Sequence, residues 1–267
     1  MDLRTSVSLL LLLLLGVCNA QHGLVRNDPK QSSSVTEDIT TTILRMNKGS
    51  PDFLLEGDVF VPRTRNAMKC LGIPYSCLWP KSADGTVQIP YVLDSAYDNT
   101  DRTNFASAMN DMQSKTCIRF IPRATQTAYL SIEANFGCSS LMGYIGDKQV
   151  VSLQRYGCVS HGIIQHELLH ALGFYHEHTR SDRDKYVKIN WANIEDGYDV
   201  NFQLQNTNNL NVTYDYSSVM HYARTAFGKN GLETIIPTKN PSAVIGQRNG
   251  ISDLDVLKVN KLYNCKK

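Results

Sequence analysis

The 267-residue chain has no excess of either charge: 27 Lys and Arg stand against 25 Asp and Glu, a formal net charge of +2. A phosphate-binding surface needs a basic surplus, so nucleic acid is excluded as the expected partner. Beyond the first twenty residues no apolar run is long enough to span a bilayer, which needs about 20 apolar residues. No Cys-x-x-Cys pair occurs, which argues against a zinc–thiolate cluster. Disorder throughout is excluded as well, because 42% of the residues are hydrophobic and only 19% are charged. The length suffices for one large domain with a packed core.

The N-terminus carries processing signals. Arg4, an unbroken leucine run over residues 9–15 and the small-x-small tripeptide Cys18-Asn19-Ala20 read as a cleavable signal peptide, residues 1–20. The product is therefore expected to be secreted and soluble. Residues 21–65 change character, with the polar stretches Gln31-Ser32-Ser33-Ser34 and Thr40-Thr41-Thr42. Ile39, Ile43 and Leu44 can line one side of a short helix but are too few for a core of their own. The segment ends in Pro62-Arg63-Thr64-Arg65, a site for a trypsin-like protease. We read 21–65 as a propeptide cut after Arg65, with Asn66 as the new N-terminus and 66–267 as the mature domain. Cys18 leaves with the signal peptide, and six cysteines remain: Cys70, Cys77, Cys117, Cys138, Cys158 and Cys265. An even number in an oxidising compartment reads as three disulfides, with the connectivity open beyond a small local loop that Cys70 and Cys77 can close. Asn211-Val212-Thr213 is a glycosylation sequon.

The chemistry concentrates in residues 163–177, IIQHELLHALGFYHE. On a helix of ~100° per residue, His166 and His170 lie within about 40° of each other. Ile164, Leu168, Ala171 and Leu172 fall on the opposite face and can pack into a core. Glu167 sits beside the histidine face, where a base reaches the metal's open position without becoming a ligand. Gly173 supplies a left-handed turn that ends the helix, so His176 can return as a third nitrogen ligand. Three imidazoles leave a coordination position open, the arrangement of a catalytic zinc. This combination at these offsets arises by chance in on the order of 10⁻⁵ chains of this length. Some fifty residues later, YDYSSVMHY at 214–222 places Met220 and Tyr222 in a tight turn. Together the two elements form the HExxHxxGxxH and Met-turn pattern of the metzincins.

On these residues the chain resembles the astacin family. Residues 166–177 match its HExxHxxGFxHE signature, and residues 218–222 match its SxMHY turn. The likeness runs through Arg180-Ser181-Asp182-Arg183-Asp184 to the closing Tyr263-Asn264-Cys265. It implies one zinc per chain on His166, His170 and His176, Glu167 as general base, and Tyr222 as a tyrosine that swings off the metal to stabilise the oxyanion. Met220 would floor the metal site without ligating it. Leu55-Glu56-Gly57-Asp58 resembles the family's FxGD propeptide element, which implies that Asp58 takes the water's place and keeps the precursor latent. The resemblance pairs Cys117 with Cys265 and Cys138 with Cys158. The further Cys70–Cys77 pair, after Asn66-Ala67-Met68-Lys69, is similar to the six-cysteine branch that includes teleost fish hatching enzymes. His178 stands where the family commonly has Gln, and is expected beside the metal ligands or at the surface rather than as a ligand. Ala223 stands where Gly commonly follows the tyrosine.

The implied fold class is α+β, a two-lobed zincin-like domain with an N-terminal twisted sheet, the active-site helix and an irregular C-terminal lobe. Residues 87–93, 128–132 and 150–153 read as strands. Thr100 can cap a helix with the apolar stripe Phe105, Ala108, Met109 and Met112. Ser252-Asp253-Leu254-Asp255 has the form of a capping box opening a last helix. A peptide substrate is expected to bind extended along a sheet edge. The expected function is a secreted zinc endopeptidase, stored as a zymogen, monomeric, acting on egg-envelope proteins. The alternatives are a digestive or tissue-processing protease of the same branch, or a secreted zinc-binding protein that has lost catalysis. The chain stops two residues after Cys265, so specificity is expected to come from the catalytic domain alone.

Overall fold

The computed structural model describes residues 37–61, 77–247 and 249–266. The signal peptide, the cleavage site at Arg65 and Asn66, and Cys70 with its expected bond to Cys77 lie outside the described residues. The element order begins with α1 (Ile39–Asn47), the two-residue strands β1 (Leu54–Leu55) and β2 (Val59–Phe60), and β3 (Val87–Leu93). Then come α2 (Asn99–Lys115), β4 (Ile118–Pro122), β5 (Tyr129–Glu133), β6 (Cys138–Ser140), β7 (Lys148–Leu153) and α3 (His161–Ala171). Short 3₁₀ turns, β8 (Val187–Ile189), β9 (Ile235–Pro237) and α4 (Asp253–Leu262) complete the chain.

Seven strands form one sheet in the order β1-β2-β6-β7-β5-β3-β4. The apolar, β-branched runs expected at 87–93, 128–132 and 150–153 become β3, β5 and most of β7, paired in parallel. β6 runs antiparallel to β7 and would be the sheet's edge, but the β1–β2 hairpin extends past it, with Val59 opposite Ser140 in parallel register. The sheet packs on α2 and α3 around one apolar core that includes Ile89, Phe105, Leu130, Val151, Ile164 and Leu168. The α2 stripe is buried as expected, but its cap differs. Asp98, not Thr100, accepts the amides of Thr100 and Asp101, and Asp101 returns the bond to the Asp98 amide. A carboxylate placed two residues earlier lets Asp101 close the box, which Thr100 as cap would forgo.

Two disulfides, Cys117–Cys265 and Cys138–Cys158, fall as the resemblance implied. The first ties β4 to the C-terminus; the second ties the edge strand to the approach to α3. A second apolar cluster (Phe202, Tyr214, Tyr222, Ile235 and neighbours) forms the C-terminal lobe around the small β8–β9 sheet. Among the described residues no helix is long and apolar enough to cross a membrane.

Candidate metal centre

α3 is buried on every side, so it is a fixed pillar rather than a surface helix. Its C-terminal carbonyls are satisfied: Trp79 Nε1 donates to Ala171 and the Tyr263 hydroxyl donates to Leu172. Gly173, at φ +97°, ends the helix as expected and turns the chain so that His176 comes back toward it.

The three imidazoles then converge. His166 Nδ1–H donates to the Val219 carbonyl at 2.9 Å, His170 Nδ1–H to the Phe174 carbonyl at 2.8 Å, and His176 Nδ1–H to Glu56 Oε2 at 2.7 Å. With every Nδ1 committed as a donor, every Nε2 faces inward and is the atom left to offer a lone pair to a metal. Yet His166 Nε2 and His176 Nε2 lie only 3.2 Å apart. Asp58 supplies the fourth corner. Its Oδ2 lies 3.0 Å from His166 Nε2 and 3.3 Å from His176 Nε2, and its Oδ1 lies 3.3 Å from His170 Nε2. His170 Nε2 and Asp58 Oδ1 are buried and find no hydrogen-bond partner, although they face each other. Four electron-rich atoms around a common point require a cation. A tetrahedron with bonds of about 2.0–2.1 Å has edges of roughly 3.3–3.4 Å. The separations of 3.0–3.3 Å along the His166, His176 and Asp58 contacts come close to those edges, and the whole set lies within 4.8 Å, so the residues can hold a zinc ion.

The electrostatics agree. Burial, only partly offset by Asp58, pulls His166 down to about 4. His176 is equally buried, yet the Asp58 and Glu56 carboxylates outweigh that effect and hold it up at about 9. The site thus draws a positive charge to the place where the three rings meet. Glu167 is fully buried, with neither oxygen hydrogen-bonded. Burial, reinforced by Asp58, pushes its carboxyl well above the ordinary range.

The remaining expected residues sit around this centre. Met220 is buried in the main core. Its turn is held by α4: Asp255 accepts from the Ser218 hydroxyl at 2.6 Å and from the Val219 amide at 3.0 Å, and it closes the expected capping box with Ser252. That clamp fixes the carbonyl orienting His166. Tyr222 lies outside the four-atom cluster. Its hydroxyl donates to the Glu56 carbonyl. Its ring stands edge-on to His176, with centroids 4.6 Å apart. Burial pushes the phenol well above 10, so it stays a proton donor. His178 is neither ligand nor surface residue: it is fully buried, donates to the Asn201 carbonyl and stacks on Tyr222 with centroids 3.8 Å apart. Ala223 packs against Gly246, where a Cβ would come within 2.6 Å.

Three features were not anticipated from the sequence. Glu56 holds His176. Lys258 reaches Glu177 Oε2 at 2.6 Å, while Arg180 holds Oε1 at 2.9 Å. Asp255 clamps the Met-turn. A lysine three residues after a capping aspartate, on the face that α4 buries, was the available signal for the second.

The fold and this centre define a zinc-dependent endopeptidase whose metal site is built from three imidazoles. The profile of the Astacin peptidase family matches residues 78–264. The chain belongs to that family and is a zinc metalloprotease acting on protein substrates. It is 55% identical to the low choriolytic enzyme of Oryzias latipes over 99% of this chain and 100% of that protein. It is 46% identical to high choriolytic enzyme 1 of the same fish over 100% of both. The solved structure of high choriolytic enzyme 1, described as a hatching enzyme zinc-protease from that fish, superposes with a TM-score of 0.70 at 50% identity, covering 75% of this chain and 100% of that one.

Proposed function

We propose that the chain is a secreted zymogen of an egg-envelope protease: residues 1–20 direct secretion, 21–65 are the propeptide, and a trypsin-like protease releases the monomeric domain 66–267 by cutting after Arg65. Storage in secretory granules and a glycan on Asn211, whose side chain is exposed, belong to the same reading. The observation that supports it is Asp58, fully buried with its carboxylate against His166, His170 and His176; on this reading it takes the place of the attacking water. The hairpin that delivers Asp58 also covers the edge strand β6. Ser140 donates its amide to the Asp58 carbonyl at 3.0 Å, and the Asn47 side chain takes both the amide and the carbonyl of Cys138. An extended substrate needs that same edge, so segment and substrate exclude each other. The names of its relatives, choriolytic and hatching enzymes, support the substrate class.

When bound on the three histidines, zinc supplies a Lewis acid and lowers the pKa of water to about 7. Glu167, buried with both oxygens unoccupied, takes the proton at a carboxylate oxygen and delivers it to the leaving nitrogen. Tyr222, protonated and free of Glu56 once the segment leaves, donates its hydroxyl to the oxygen that becomes negative. Met220 and the stacked His178 hold the surroundings of ligand and tyrosine in place. The test is to incubate processed protein with isolated egg envelope and read the released peptides by mass spectrometry. Specific cleavage is expected, with about 10²–10⁴-fold loss in Glu167→Ala. An envelope left intact while casein is cut would remove the hatching reading. Unchanged turnover in Glu167→Ala would remove the base assignment.

A further inference from the structure

Glu56 sits two residues before Asp58 but touches a different part of the centre. Its side chain is fully buried. Oε2 accepts from His176 Nδ1 at 2.7 Å and from the His176 amide at 3.2 Å, and Oε1 accepts from Gln205 Nε2 at 2.9 Å. His166 and His170 rest on backbone carbonyls instead. Only His176 leans on a carboxylate, and that carboxylate belongs to the segment that leaves on activation.

The backbone adds a second observation. Glu56 is held at φ 53°, in the left-handed region that favours glycine or asparagine. A glutamate kept there is held against its backbone preference. The turn into Asp58 has its own glycine, Gly57 at φ +80°, whose Cβ would come within 2.5 Å of Leu44. The turn does not call for a glutamate at position 56, whereas the imidazole of His176 uses one.

We propose that Glu56 is a detachable positioning residue for the third zinc ligand. In the precursor it completes a carboxylate–histidine–metal arrangement that orients His176 and strengthens it as a donor. With Asp58 it also balances the charge of a divalent cation held otherwise by neutral imidazoles. Removal of the segment then strips the centre of two carboxylates, one on the metal and one behind His176. The precursor is the form that retains its zinc, and the processed form holds it with a weaker third donor. This rests on reading residues 37–61 as part of a propeptide.

The test measures zinc retention in the uncleaved full-length chain by equilibrium competition with a chelator and by the rate of zinc loss to excess chelator. Glu56→Gln keeps the size and removes the charge, and should weaken zinc by about tenfold or more. The unfolding midpoint of the zinc-free chain should stay near that of the unchanged protein, separating a metal effect from a folding one. Asp58→Asn is the control for the underlying reading. If Asp58→Asn weakens zinc and Glu56→Gln does not, the clamp is overturned while the role of Asp58 stands. If neither weakens it, both fall. Should Glu56→Gln fail to be secreted, Gln205→Leu leaves the segment untouched and frees Oε1; a smaller loss in the same direction is expected, and unchanged zinc retention there overturns the proposal.

Discussion

The two lobes support the same metal centre by different physics. The sheet lobe offers His166, His170 and Glu167 from a helix buried among aliphatic side chains, with Ile164 and Leu168 fully buried against the sheet. Burial of that kind is non-directional and tolerant in detail. The C-terminal lobe offers His176, Met220 and Tyr222 from segments with little regular structure, held by buried charges. Glu177 accepts from Arg180, Lys258 and the Asp215 amide. Arg180 also donates to the Val212 and Thr213 carbonyls, and Arg183 to those of His178 and Phe202. Where no ladder satisfies the backbone, arginine forks do. A rigid turn in an irregular lobe thus needs directional partners, and each is costly to remove.

The sharpest way to break that contrast is Lys258→Met. The swap nearly conserves volume, and in an aliphatic core such a change costs less than about 1.5 kcal/mol. Here it leaves Glu177 buried with one cation fewer, beside Asp215 and Asp255. Breaking a buried pair costs about 3–5 kcal/mol. Urea unfolding at neutral pH measures it directly. A loss below about 1.5 kcal/mol would mean that the C-terminal lobe rests on apolar packing after all.

The same contrast decides what the sequence could disclose. Strands β3, β5 and β7, the α2 stripe, the α3 face and the α4 capping box were legible because period and cap chemistry are local. So was the meeting of His166, His170 and His176, since helical geometry and Gly173 bring them together within eleven residues, 166–176. Asp58 and the two described disulfides came only through family likeness, because nothing local says where a distant segment docks. Glu56, Lys258 and Gln205 stayed hidden for the same reason: their partners lie 120, 81 and 149 residues away. The Thr100 cap failed on a local competition that Asp98 wins, whereas His178 lies beside the ligand His176 as one of its two expected places, though its stacking on Tyr222 left no periodic trace.

Tyr222→Phe sharpens the comparison at the level of chemistry, since this hydroxyl comes from the irregular lobe and must be placed as exactingly as Glu167. Removing one oxyanion donor costs about 10²–10³ in kcat. In the processed enzyme kcat should fall by that much while KM changes little. A fall of less than about threefold would leave the tyrosine without its assigned task.

The smallest effect separates the lobes by pH. His221 is buried in the C-terminal lobe, accepting from the Tyr214 hydroxyl at Nε2 and donating from Nδ1 to the Tyr222 carbonyl. Burial pulls it down to about 4 from an ordinary 6.5. Between those values the unfolded chain binds a proton that the folded chain refuses. Its contribution is therefore complete above pH 6.5 and is lost as the pH falls toward 4, by up to about 3 kcal/mol. Unfolding midpoints of the zinc-free chain, compared with His221→Gln, isolate this group from the metal ligands. The unchanged protein should lose stability more steeply than the variant across that window. Parallel curves would mean that His221 titrates normally and that the tyrosine's carbonyl is held by something other than a neutral imidazole.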